Sequence, residues 1–167
     1  WPNFPGRQSM IAIRKEQEIA ILREADALVA DVLSGLAELV VPGVTTGHLE
    51  DTAAGLIRDA GAVPAFLGYH GFPACTCISV DDVVVHGIPG DRVLKEGEIV
   101  SMDVGVRWKG YYGDAALTVP CGEVDATRQR LMDTTERALA SAIAVAVEGN
   151  YLQDIGRAVQ EVCEAEG

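Results

Sequence analysis

The sequence predicts an α+β fold made of two related halves, each with two helices and antiparallel strands, the second half being incomplete. Three observations predict it. Helical apolar spacing gives way to β-branched runs after Cys75, a helix pair returns after Asp125, and a segment of the first helix pair recurs in the second.

Ile19, Leu22, Ala25, Val29, Val32, Leu36 and Leu39 recur at spacings of three and four, which predicts an amphipathic helix over Gln17–Val41. Pro42-Gly43 ends it. A second helix is expected from Thr46 as N-cap, with Leu49, Ala53, Ile57 and Ala60 on one side and Gly61 closing it. Cys75–Val85 is rich in β-branched residues and bounded by Pro73 and Gly87–Gly90, so it reads as a strand. Glu98–Val106 and Tyr111–Val119 read as two more, joined as a hairpin by Lys109-Gly110. Pro120 and Gly122 break the sheet. Helices return over Asp125–Val147 and from about Asn150 to Glu166.

Val41–Gly61 (VPGVTTGHLEDTAAGLIRDAG) aligns without a gap on Val147–Gly167 (VEGNYLQDIGRAVQEVCEAEG) at a shift of 147 − 41 = 106 residues. Val41 falls on Val147, Gly43 on Gly149, Leu49 on Ile155 and Gly61 on Gly167. So long a period implies paired half-domains rather than a solenoid. The second half-repeat is expected to begin near residue 124 and to be cut off at Gly167, where its strands should start.

The 167 residues suffice for one domain with a substantial core, and 49% hydrophobic with 23% charged residues is ordinary for a globular protein. A net charge of −12 weighs against nucleic acid or an anionic membrane as partner, since both need a basic footprint. No apolar run reaches the roughly 18 residues of a membrane span. Trp1–Ser9 has no secretory-signal pattern and reads as upstream or appended sequence, with Met10 as the natural start. Cys75, Cys77, Cys121 and Cys163 form neither the C-x-x-C pairs of a zinc ribbon nor a dense disulfide framework, and read as reduced thiols of a cytoplasmic protein.

Chemistry concentrates between Phe66 and Asp114. Asp103 lies inside the apolar strand IVSMDVGV, where Asp is disfavoured, and Asp114 lies in the partner strand YYGDAALTV. A hairpin turning on Lys109-Gly110 sets Gly105 opposite Asp114 and Asp103 opposite Ala116, making the two carboxylates diagonal neighbours on one face. Such a pair needs a compensating cation or proton, unless one Asp caps a turn and the other faces water. His86 ends a β-branched run before a Gly-Ile-Pro turn, a place suited to meeting a substrate, although a lone His is more often structural. His48 reads as an ordinary first-turn helix residue. In FLGYHGFPACTC the rings of Phe66, Tyr69, His70 and Phe72 crowd between Gly and Pro, either closing the core under a loop or walling a ligand pocket.

FLGYHGFP, CISVDDVVVHGIP, SMDVGV and GYYGDAALT, in that order, resemble the signature segments of type I methionine aminopeptidases; the resemblance runs from about Arg14 to Gly167. It implies the pita-bread fold and makes residues 10–167 the N-terminal part of one catalytic domain. It also implies removal of the initiator methionine from newly made cytoplasmic proteins by a monomeric parent enzyme, with the ribosome as a transient partner. Asp103 and Asp114 would be ligands of a two-metal site (cobalt, manganese, iron or zinc), Asp114 bridging. His86 would contact the substrate backbone near the scissile peptide, and Phe66, Tyr69, His70, Phe72 and Cys77 would surround the methionine side chain. The metals would activate water and polarise the peptide carbonyl, with a glutamate moving the proton.

The family draws a His and two Glu ligands, a second active-site His and the glutamate from its C-terminal half. None has a counterpart here, so the chain alone is expected to be inactive. Asp81-Asp82 stands where relatives carry Asn-Glu, which puts a nearby backbone ion site in doubt. Prolidase and aminopeptidase P share the fold and the Asp pair and are the nearest alternative, with a non-catalytic binding relative as the next. FLGYHGFP and HGIP favour the methionine enzyme.

Overall fold

The computed structural model describes residues 12–167; the expected tail over residues 1–9 and the start at Met10 lie outside them. Helix α1 spans Glu16–Ala37 and α2 spans Thr46–Asp59. Strand β1 is Val63–Pro64, a short 3-10 turn covers Tyr69–Gly71, and β2 is Thr76–Val80. Strands β3 (Ile99–Trp108) and β4 (Tyr111–Pro120) form the hairpin, and α3 (Ala126–Val145) and α4 (Leu152–Glu166) follow.

Of the boundaries that differ from the sequence reading, three have a clear local reason. Helix α1 stops at Ala37 rather than Val41, because the chain tightens into a turn in which Leu39 N–H donates to Leu36 O at 3.0 Å. Thr45, not Thr46, caps α2, its hydroxyl accepting from His48 N–H at 3.1 Å. Thr46 turns inward instead, its Oγ1 donating to Gly90 O at 3.1 Å and accepting from Gly90 N–H at 2.9 Å. The run read as a strand to Val85 pairs only as far as Val80. Asp81 adopts φ 52° and closes the ladder end, its N–H donating to Ile99 O at 3.0 Å and its Oδ1 accepting from Ile99 N–H at 3.1 Å. Val84 and Val85 beyond it are exposed.

The sheet is antiparallel, with β3 at its centre. Strand β4 takes one edge of β3, and β2 and the short β1 lie along the other. Strand alternation then divides the chemistry. Val100, Met102, Val104 and Val106 are fully buried and pack with Val29, Leu36, Leu49 and Ile57 of α1 and α2. Each such aliphatic side chain contributes on the order of 1.5–3 kcal/mol by leaving water. Ser101, Asp103 and Gly105 lie on the opposite face, away from the helices. The turn at Lys109 (φ 48°) and Gly110 (φ 87°) has the left-handed pair of a two-residue hairpin and fixes the register.

The repeat is present in the backbone. Helix α2 begins at Thr46 and α4 at Leu152, a shift of 152 − 46 = 106 residues, and Gly43 and Gly149 both hold φ 95° before them. The two pairs differ in what covers them. Leu33 of α1 is 5% exposed against the sheet, whereas its counterpart Leu139 in α3 is 60% exposed. Helices α3 and α4 pack on each other, and among the described residues no strand covers their outer apolar face. No helix among the described residues is long and apolar enough to cross a membrane.

Candidate functional site

On the helix-free face of the sheet, Cys77 of β2, Asp103 of β3 and Ala116 of β4 form one row across the strands, and Gly105 and Asp114 form part of the next. The two carboxylates are therefore diagonal neighbours, in the register expected from the hairpin turn. They border a cavity of about 550 Å³ that is also lined by Phe66, Tyr69, His70, Phe72, Cys77 and His86. All eight residues singled out in the sequence thus meet at one place. Of the two meanings open for the aromatic loop, the geometry is that of a cavity wall: Tyr69 and His70 stack edge-to-face at 4.4 Å and both stay exposed.

Asp103 is half-buried, and its Oδ1 is shut off from water with no hydrogen-bond partner. Its carboxyl titrates above the ordinary range, first because burial removes water and next because Asp114 is negative; His86 pulls the other way. Asp114 is also raised, chiefly by partial desolvation, with Asp26 adding to it and a hydrogen bond from Asp103 opposing it. The two carboxylates are coupled, so they titrate as a pair rather than as independent groups. A buried carboxylate oxygen without a donor, beside a second carboxylate, suits a hard or borderline divalent cation. The donor set is partial, however: among the described residues no group of three or more His, Cys, Asp or Glu side chains is arranged to hold a metal ion.

Cys77 is buried and directly opposite Asp103. Its thiol is pushed up to about 11 by burial and by the charges of Asp103, Asp114 and Glu50, so it is a neutral, polarisable wall rather than a nucleophile. The start of β2 is clamped from α2, where Glu50 accepts hydrogen bonds from Cys75 N–H (2.5 Å), Thr76 N–H (3.0 Å) and Thr76 Oγ1 (2.6 Å).

His86 sits at the cavity lip with φ 57°, an uncommon conformation for a residue with a side chain. What holds it there is its neighbour. Gly87 O accepts from Ile78 N–H at 2.9 Å, and Gly87 N–H donates to Ser79 Oγ at 3.0 Å. A Cβ on Gly87 would overlap Ile78 O and come within 2.9 Å of Ser79 Cα, so only glycine allows the loop to dock this closely on β2.

The sequence reading did not single out Gly71, Pro73 or Ile88, which also line the cavity, nor the supporting Glu50, Ser79 and Gly87. Ser79 was within reach, since β-strand alternation puts it on the same face as Cys77. Glu50 was not, because nothing local in α2 signals a partner in β2. A second hollow, of about 500 Å³ between α3 and α4, holds no comparable set of chemical groups.

Residues 20–167 match the model of metallopeptidase family M24. Methionine aminopeptidase 1 of Bacillus subtilis is 40% identical over 94% of this chain and 63% of its own length. The crystal structure of methionine aminopeptidase from Rickettsia prowazekii is 39% identical with a TM-score of 0.92, covering 94% of this chain and 63% of that one. Prolidase from Pyrococcus furiosus, 20% identical with a TM-score of 0.83 over 93% of this chain and 44% of its own, has the same fold. The chain therefore spans about 63% of the length of these two methionine aminopeptidases.

Proposed function

The chain belongs to metallopeptidase family M24, and from that membership we propose that its cavity takes the N-terminal methionine of newly made proteins for hydrolytic removal. One observation carries the proposal. A diagonal carboxylate pair, one oxygen of which is buried without a partner, opens on an aromatic, thiol-walled cavity of about 550 Å³.

Each residue has a part that suits its chemistry. Asp103 and Asp114 would hold the metal ions. Bound divalent ions supply Lewis acidity and a nucleophilic water at neutral pH. Phe66, Tyr69, His70 and Phe72 would enclose the methionine side chain, and the protonated Cys77 thiol offers its thioether a soft contact. His86, fixed at the lip by Gly87, would hydrogen-bond the substrate backbone and orient the scissile peptide.

Two carboxylates are too few for tight metal binding, and among the described residues no further donors join them. The remaining ligands, a His and two Glu, together with the glutamate that moves the proton, would come from outside this chain. The chain by itself would be inactive. The choice among cobalt, manganese, iron and zinc follows availability as much as the donor set. The setting would be the cytoplasm, with a monomeric parent enzyme that meets nascent chains near the ribosome.

The proline-specific peptidases share the fold, and FLGYHGFP with HGIP sets this chain apart from them. The test gives the full-length gene product two peptides, Met-Ala-Ser and Ala-Pro-Ala, with divalent metal present. Methionine release from the first alone is expected. Cleavage of the second alone would establish the proline-specific reading, and cleavage of neither would support a binding role.

A further inference from the structure

The geometry points to Gly105 as a specificity-determining residue, one whose missing side chain sets the depth of the cavity by giving the Phe66 ring a place to lie. This rests on the aminopeptidase reading and extends it. Gly105 is on the site face of β3, two residues from Asp103 and directly opposite Asp114. A Cβ built there would overlap Phe66 Cε1 and stand 2.8 Å from Cζ and 3.1 Å from Cδ1. The ring thus lies on the glycine itself, at the boundary between the carboxylate pair and the aromatic loop.

The Phe66 backbone has no room to retreat. On one side, Ala65 N–H donates to Gly105 O at 2.8 Å, and Pro64 pairs with Val106. On the other, Phe66 O accepts from Tyr69 N–H at 2.9 Å. Tied at both ends, the residue answers a methyl group at position 105 only by rotating its side chain. The sheet closes the space beneath the ring, so rotation carries it into the cavity. Any side chain at 105 therefore shortens the space left for the substrate side chain, and the glycine and Phe66 act as a matched pair.

The test uses the full-length gene product as wild type, Gly105→Ala, and Gly105→Ala combined with Phe66→Leu. Each is assayed on Xaa-Ala-Ser peptides with methionine, norleucine, norvaline or alanine at the first position. Gly105→Ala is expected to shift the kcat/KM ratio of norvaline to methionine by about tenfold in favour of the shorter residue, roughly what one methylene is worth in an apolar pocket. Removing the ring in the double variant should bring the preference back toward methionine. An equal loss on all four peptides, an unchanged ratio, or a double variant as altered as Gly105→Ala overturns the inference. If the wild type releases none of the residues, the aminopeptidase reading fails instead. The crystal structure of Gly105→Ala then decides the inference alone: a ring turned into the cavity upholds it, and a ring in its wild-type place overturns it.

Discussion

Gly105 and Asp114 stand directly opposite each other across the β3–β4 ladder, and this pairing sets Asp114 diagonal to Asp103 on the face the helices leave open. A slip of β4 by one residue against β3 would send Asp114 to the other face, that of the valines packed on α1 and α2, and part it from Asp103. The left-handed turn at Lys109-Gly110 excludes that slip, so two residues far from the chemistry determine where it occurs.

The cost of the carboxylate pair gives a prediction for the metal-free protein. Both carboxyls titrate above the ordinary Asp value of 3.8, so between that value and the folded pKa the native state binds more protons than the unfolded one. The pair's contribution to stability is then fully present below about pH 3.8 and lost as pH rises through the folded values. Asp103→Asn should therefore raise the metal-free melting temperature at pH 7 and flatten its decline with pH above 4. A lower melting temperature in the variant would contradict this.

Docking at Gly87 gives a second prediction. Gly87→Ala must push the loop off β2, because the obstructing atoms are the backbone of Ile78 and Ser79. A loss of about 1–3 kcal/mol in denaturant unfolding is expected, as for overpacking elsewhere, together with displacement of the His86 ring signals. Wild-type stability with an unmoved imidazole would show that the close approach is not limiting.

Cysteine reactivity gives a third. Cys75 and Cys77 are buried, with thiols pushed up to about 11, first by burial, while Cys163 is exposed. Iodoacetamide at pH 7.5 should modify Cys163 long before Cys75 or Cys77. Peptide mass spectrometry reads the order, and labelling of Cys77 as fast as Cys163 would contradict the burial of Cys77 beside the carboxylates.

The two helix pairs give a fourth. Leu33→Ala removes a side chain 5% exposed and should cost roughly 2–5 kcal/mol. Leu139→Ala, at the equivalent place in the repeat but 60% exposed, should stay within about 0.5 kcal/mol in this chain. Equal costs in thermal unfolding would mean that the outer face of α3 is covered after all.

Much of this was legible in the sequence because the signals were local. The apolar spacing of α1, the Lys109-Gly110 turn and the alternation of β3 were enough to derive the register that brings Asp103 and Asp114 together. Two kinds of feature were not legible. The strand expected to reach Val85 stops at Val80, because β-branched composition marks a preference for pairing but cannot supply a partner, and β3 begins only at Ile99. The supports of the site were also hidden. Gly87 against Ile78, Glu50 on Thr76 and Phe66 on Gly105 are contacts between segments whose closeness only the folded chain creates.

The most direct test is calorimetric titration of manganese or cobalt into the metal-free chain and into Asp103→Asn/Asp114→Asn, with methionine release from Met-Ala-Ser followed alongside. Weak metal binding that the double variant lacks, with no methionine released until the full-length product is used, is the expected result. Equal binding by the two proteins, or none by either, would mean that the carboxylate pair of this chain is not a metal site.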